Sequence, residues 1–219
     1  TGKRLWRRYT VPAPGEKGSE TWPKNSKAWA TGGGSTWITG SYDPQLDLMY
    51  WGTGNAAPWN PDSRPGDNLY TASVIAVRPK TGEIVWHYQF VPNDSFDWDS
   101  LWELIITDMD IDGVRRKVVM QMNRNGFLYV IDRTNGKPVW PIPEKPVAKG
   151  DVPGEWYSPT QPIPSKPPAY DVQAVDASTV IDFTPELHAK ALRLLSHYRT
   201  GPVYTPPSLS RADGTWGTL

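Results

Sequence analysis

Apolar and polar positions alternate in short runs over the first 140 residues, and turn residues punctuate the runs. Segments 37–42, 48–52, 70–77 and 84–90 are rich in aromatic and β-branched residues, as are 101–107, 117–122 and 127–131. That pattern predicts strands, with Asp108-Met109-Asp110-Ile111-Asp112-Gly113 as a hairpin connection. The alternating acids of this connection look like an EF-hand loop, but its twelfth position is Val119, so a solvated turn is expected. After Trp140 the alternation stops. Nine prolines between Pro141 and Pro168 exclude regular helix or a central strand and predict an extended excursion over the surface. Thr184-Pro185-Glu186 then starts a helix, with Thr as N-cap, Pro at the first position and an acid in the first turn. Leu187, Ala191, Leu194 and Leu195 form its apolar face, which predicts a packing insert ended by Gly201-Pro202.

A short motif recurs through the strand region. Thr1-Gly2-Lys3-Arg4-Leu5-Trp6, Thr81-Gly82-Glu83-Ile84-Val85-Trp86 and Asn135-Gly136-Lys137-Pro138-Val139-Trp140 share turn residue, Gly, charge, aliphatic and Trp. Each is a turn whose Gly accepts positive φ, followed by a strand that delivers an indole. An indole at one point of successive sheets suits a β-propeller, in which each blade buries its face against the next. The first copy opens the chain, so the blade it closes would lack its earlier strands. This predicts a chain that begins in mid-domain.

Composition supports the all-β reading: 12 Trp, 10 Tyr, 19 Gly and 23 Pro favour short strands, tight turns and aromatic packing between sheets. Charge identifies no partner. Lys plus Arg equals Asp plus Glu at 23 each, so no basic field attracts nucleic acid or an acidic membrane. No run reaches the length of a membrane span, and no secretory signal opens the chain. The absence of Cys excludes disulfides and thiolate metal sites within it.

Candidate chemistry is densest between Gly32 and Arg124. Gly32-Gly33-Gly34-Ser35-Thr36-Trp37 reads either as a turn with a core Trp or as close backbone approach beside a flat aromatic floor. Asn55 ends Gly52-Thr53-Gly54-Asn55 and is either a turn former or a neutral oxygen ligand for a hard cation. Asp94, Asp97 and Asp99 fall close together, and an extended backbone would put Asp97 and Asp99 on one side. Two such carboxylates repel unless a cation or proton lies between them, solvation being the plain alternative. Arg124, in Asn123-Arg124-Asn125-Gly126, is either an ordinary surface arginine or a fork for a carboxylate or quinone oxygen.

Together these segments resemble the methanol and ethanol dehydrogenases that use the quinone cofactor PQQ. The resemblance is carried in order by Gly32-Gly33-Gly34-Ser35-Thr36-Trp37, Tyr42-Asp43-Pro44, Tyr50-Trp51-Gly52-Thr53-Gly54-Asn55, Pro58-Trp59-Asn60, Arg64-Pro65-Gly66-Asp67-Asn68, the Asp97 segment and Asn123-Arg124-Asn125-Gly126. It continues through Pro153-Gly154-Glu155-Trp156-Tyr157-Ser158-Pro159-Thr160-Gln161-Pro162 and Asp182-Phe183-Thr184-Pro185-Glu186-Leu187. The resemblance implies an all-β fold, part of an eight-bladed β-propeller, with about three blades here. Residues 1–140 would be partial blades carrying part of the site, and 141–219 the excursion, the helix and the start of another blade.

By the same resemblance Trp37 stacks beneath the quinone, Ser35 contacts the cofactor and Arg124 lies beside the quinone oxygens. Asn55 and Asp97 are metal ligands, and Asp97 is also the base. Asp99 resembles the extra ligand of the lanthanide-using branch, so a lanthanide is favoured over calcium. A further Glu ligand and a Cys pair lie upstream in the family. The implied reaction is oxidation of a primary alcohol to an aldehyde in the periplasm, with a cytochrome c-type electron acceptor. A homodimer at full length is left open. The other readings are a quinoprotein sugar or polyol dehydrogenase and a non-catalytic propeller scaffold; the scaffold predicts that Asn55, Asp97 and Arg124 lie apart.

Overall fold

The computed structural model describes residues 2–209 and the backbone of 217–218. Strands β1 (Ser41–Asp43), β2 (Leu48–Gly52), β3 (Ser73–Val77) and β4 (Ile84–Gln89) form an antiparallel sheet in chain order. A second meander contains β5 (Ile105–Ile111), β6 (Val114–Met122) and β7 (Leu128–Asp132). The chain then returns along the free edge of β7, where Val139 N–H donates to Val130 C=O (2.9 Å). Pro138 bridges Ile131 on that edge, where its missing N–H costs no ladder bond. Each meander is one propeller blade. All five positions of β3 are buried, which its unbroken Ser-Val-Ile-Ala-Val run anticipates for a strand covered on both faces.

The blades are held by aromatic packing. Tyr50, Trp86 and Phe90 from the first sheet join Val119, Phe127, Tyr129 and Ile131 from the second in one buried cluster. The Phe90 and Tyr129 rings meet edge to face at 4.6 Å. The recurrent motif explains the spacing between blades. Trp6 Nε1 donates to Pro79 C=O (2.7 Å) and its ring lies over Gly82. Trp86 repeats this one motif later, donating to Arg133 C=O (3.1 Å) and lying over Gly136. A Cβ at Gly136 would come within 2.6 Å of the Trp86 ring, so the indole needs a bare backbone to dock on.

A paired substitution measures this docking. Gly136 and Gly113 both have φ 76, but a Cβ at Gly113 meets nothing within 4 Å. Gly113→Ala should cost only left-handed backbone strain, whereas Gly136→Ala should lose about 1–3 kcal/mol more through overpacking. Denaturant titration of both variants in the full-length protein reads the difference; equal losses would show that the ring contact contributes nothing.

Several boundaries differ from the sequence pattern. The first strand is Ser41–Asp43, not 37–42, because Gly40 packs against Tyr50 C=O and the Trp51 ring before pairing begins. Segment 70–77 enters β3 only at Ser73, since Ala72 has φ 46. The strand expected at 101–107 is Ile105–Ile111, and Asp108–Gly113 is not a solvated loop. The hairpin turns on Asp112 (φ 50) and Gly113 (φ 76) alone, a two-residue connection whose twist matches its strands. Asp108 and Asp110 instead face Lys117 and Arg115 across the ladder.

In the excursion, β8 (Glu144–Pro146) and β9 (Thr160–Pro162) pair, and buried Gln161 donates to Pro92 C=O (2.8 Å). Helix α1 (Pro185–Leu195) has the expected N-cap, with Thr184 Oγ1 accepting from Leu187 N–H (3.2 Å). It stops well before Gly201-Pro202, and none of its residues is buried, so the expected packing insert is not packed among the described residues. Beyond it, β10 (Tyr198–Arg199) pairs in parallel with β11 (Gly217–Thr218). No described helix is long and apolar enough to cross a membrane.

Candidate functional site

The glycine run brings its backbone against the segment that ends at Asn55. Gly33 bridges Ala56, Gly34 N–H donates to Asn55 C=O (2.8 Å), and Gly54 N–H donates to Ser35 C=O (2.9 Å). Ser35 and Trp37 are thereby carried to the same edge as Asn55. Trp37 is 58% exposed, so it is no core tryptophan. Its ring meets the Trp102 ring edge to face at 6.3 Å.

The acidic segment crosses the same edge. Thr53 bridges Ser100, and Asp99 Oδ1 accepts from Asn55 N–H at 3.3 Å. A Cβ on Gly54 would lie 2.8 Å from that oxygen and 3.4 Å from Ser35 Oγ, so only glycine lets the segments approach this closely. Asn55 Nδ2 donates to Ala56 C=O (3.3 Å), which leaves its amide oxygen as the free acceptor.

Asp97 departs from the sequence expectation. Its φ is 60, so Asp97 and Asp99 do not share a side through strand alternation. Arg124 Nη1 instead donates to the Asp97 backbone carbonyl (2.9 Å) and stands 4.0 Å from Asp99 Oδ2. Arg124 is exposed, Asp99 is only partly buried and their separation is long, so this ion pair alone stabilises little. The convergence of Asn55, Asp99, Arg124 and the Asp97 backbone is what a scaffold without chemistry does not require. An open cleft of roughly 530 Å³ adjoins them, lined by Ile38, Trp102, Glu103, Met122, Arg124 and Tyr170.

Groups beneath the edge carry no chemical signature in sequence. Gln121 Nε2 donates to Ser100 C=O (3.0 Å) and Trp102 C=O (2.9 Å), and Asn123 Nδ2 donates to Ser100 Oγ (2.9 Å). Both are buried and tie the acidic segment to β6. Asp94 is wholly buried; burial pushes its carboxyl up to about 6 against the opposing N–H groups of Phe96 and Trp98. Among the described residues no three His, Cys, Asp or Glu cluster, so a cation held by Asn55, Asp97 and Asp99 would draw on further donors from elsewhere.

The chain is similar to several known proteins. The chain is 48% identical over 150 residues to "Quinohemoprotein alcohol dehydrogenase ADH IIB" of Pseudomonas putida, a match covering 63% of this chain and 22% of the relative. It is 39% identical over 155 residues to a lanthanide-dependent methanol dehydrogenase of Methylorubrum extorquens, covering 63% and 26%. The crystal structure of the quinohemoprotein alcohol dehydrogenase from Comamonas testosteroni superposes with a TM-score of 0.61 at 37% identity, covering 75% of this chain and 26% of that one. The chain thus spans about a quarter of the length of these proteins. The model of the PQQ-dependent glucose, ethanol and alcohol dehydrogenase β-propeller domain matches residues 1–217, and the chain belongs to that family.

Proposed function

We propose that the protein carrying this chain oxidises a primary alcohol to its aldehyde with PQQ and a bound cation, in the periplasm, and passes electrons to a cytochrome c-type acceptor. The observation that carries this is the meeting of Asn55, Asp99 and Arg124 beside Asp97, at the edge that also bears exposed Trp37. Relatives named as quinohemoproteins support a haem-based electron route.

The donor set fits the expected groups. Amide and carboxylate oxygens from Asn55, Asp97 and Asp99 suit a hard cation, and the exposed Trp37 face suits a planar ring system. When bound, the quinone and cation supply the hydride acceptor and the Lewis acid. Asp97 would take the proton of the alcohol hydroxyl on its carboxylate. Arg124 would place positive charge beside a bound quinone, and it orients Asp97 through its backbone carbonyl. Ser35 adds a hydroxyl at the same edge.

Asp99 inclines the site toward a lanthanide, because a trivalent ion gains more than calcium from a further carboxylate. A full-length enzyme carrying this segment should oxidise primary alcohols when supplied with PQQ and lanthanum. Asp99→Ala should lower lanthanum-supported turnover by about tenfold or more. Activity of the unsubstituted enzyme with calcium alone would sink the metal assignment; no alcohol oxidation with either metal would sink the function.

A further inference from the structure

Arg64 lies outside the candidate ligand set yet bonds to backbone close to both Asn55 and Asp97 in the chain. It is 0% exposed, and no carboxylate lies within ion-pair distance of it among the described residues. Its guanidinium is spent on backbone and amide oxygens. Nε donates to Pro58 C=O (2.5 Å), and Nη2 to Trp59 C=O (2.7 Å) and Asp94 C=O (2.7 Å). Nη1 donates to Asn68 Oδ1 (2.8 Å). Pro58 and Trp59 follow closely on Asn55, and Asp94 closely precedes Asp97. A second tie joins the same two segments, from Trp59 Nε1 to Ser95 C=O (3.1 Å).

The arginine is itself gripped. Its carbonyl accepts from Asn68 Nδ2 (3.0 Å) and Asn93 Nδ2 (3.1 Å), and the latter also donates to Gly66 C=O (2.8 Å). Burial pushes the guanidinium down to about 10, with the Asp94 carboxylate opposing, so it stays charged at neutral pH. A buried charge without a carboxylate partner is costly to keep where an apolar side chain would merely fill space. What an apolar residue cannot do is bond three segments at once. The planar five-donor fork does so, and a lysine ammonium cannot reproduce its directions.

We propose that Arg64 is a positioning residue that sets the spacing between Asn55 and the Asp97–Asp99 segment, and so preorganises the oxygen donors before the cation arrives. This rests on the metal and quinone reading of that cluster. Groups one layer behind metal ligands commonly change affinity by about 10–100-fold when replaced.

The test is terbium(III) titration of the metal-free full-length enzyme, read by luminescence sensitised through nearby indoles. Arg64→Lys should bind terbium about 10–100-fold more weakly while its circular dichroism remains native. Turnover should fall, excess metal should restore much of it, and KM for alcohol should change little. Unchanged terbium affinity in a folded Arg64→Lys overturns the proposal, even if its melting temperature drops. If Arg64→Lys does not fold, Asn68→Gly takes its place: it tolerates the backbone (φ 60) and removes one Arg64 partner. It should weaken terbium in the same direction by less, and unchanged affinity overturns the proposal. Terbium binding untouched by the double variant Asp97→Ala/Asp99→Ala would overturn the metal reading itself, a failure distinct from that of Arg64.

Discussion

Asp97→Asn in the full-length enzyme should reduce turnover by about 10²–10⁴-fold, the range that a positioned general base contributes. Asparagine keeps the size and one oxygen of the side chain but cannot accept the alcohol proton. The backbone contact from Arg124 goes to the Asp97 carbonyl, so the substitution leaves that link in place. Asparagine is also among the residues that best tolerate the left-handed conformation, here φ 60, and the segment should keep its path. PQQ absorbance of the reconstituted variant should therefore match that of the parent while product formation falls. Turnover close to the parent's would remove Asp97 from the role of base.

Arg133→Met should destabilise the protein by about 3–5 kcal/mol, the usual cost of leaving a buried charge without its partner. Arg133 is 2% exposed and crosses between the blades. Its Nε donates to Asp43 Oδ2 (2.6 Å), and its Nη1 to Asp108 Oδ1 (2.5 Å) and Thr107 C=O (2.6 Å). Its own carbonyl accepts from Tyr50 Oη (3.0 Å) and Trp86 Nε1 (3.1 Å). Methionine preserves volume, so the loss is chiefly that of the charge.

The pH dependence gives a second readout. Burial alone would raise the Asp43 carboxyl, but its bonds from Arg133, Gln45 and Leu46 outweigh this and hold it below the ordinary range. The Arg133 bond also holds Asp108 low. A carboxyl lowered by folding stabilises above its unfolded value near 4. That stability is lost as pH falls through the folded value. In Arg133→Met burial, the two N–H bonds and the long contact from the Tyr50 hydroxyl (3.4 Å) remain on Asp43, so much of this acid dependence disappears. Denaturant midpoints of parent and variant should lie far apart at neutral pH and converge below about pH 4. A constant gap across that range would show that the ion pair is not the source of the difference.

Legibility in the sequence followed the range of the interaction. The Thr184 cap was readable because capping involves neighbours in the chain, and α1 begins at Pro185 as expected. The three Trp motifs signalled stacked sheets because each blade repeats the same local turn. The hairpin at Asp112-Gly113 was also present in sequence, but the expected connection, 108–113, was too long, because Asp108 and Asp110 pair across the ladder with oppositely charged residues. The candidate residues were legible only as types. That Asp99 meets Asn55 backbone while Arg124 reaches the Asp97 carbonyl depends on a loop whose φ at Asp97 no alternation rule supplies.

The sequence by itself determined the all-β class, the blade repeat, the Pro-rich excursion and the membership of the chain in its family. These follow from periodicity, turn chemistry and a string of motifs in order, all properties of nearby residues. Only the tertiary structure decided that Arg133 joins two blades and that Gln121 of β6 and Asn123 just after it support the acidic segment. It also decided that buried Arg64 joins the Pro58-Trp59 backbone to that of Asp94. Each of these is a polar side chain whose sequence neighbourhood resembles that of any surface residue. What distinguishes it is burial, and burial exists only once distant segments have closed over the group and its bonds have replaced those to water.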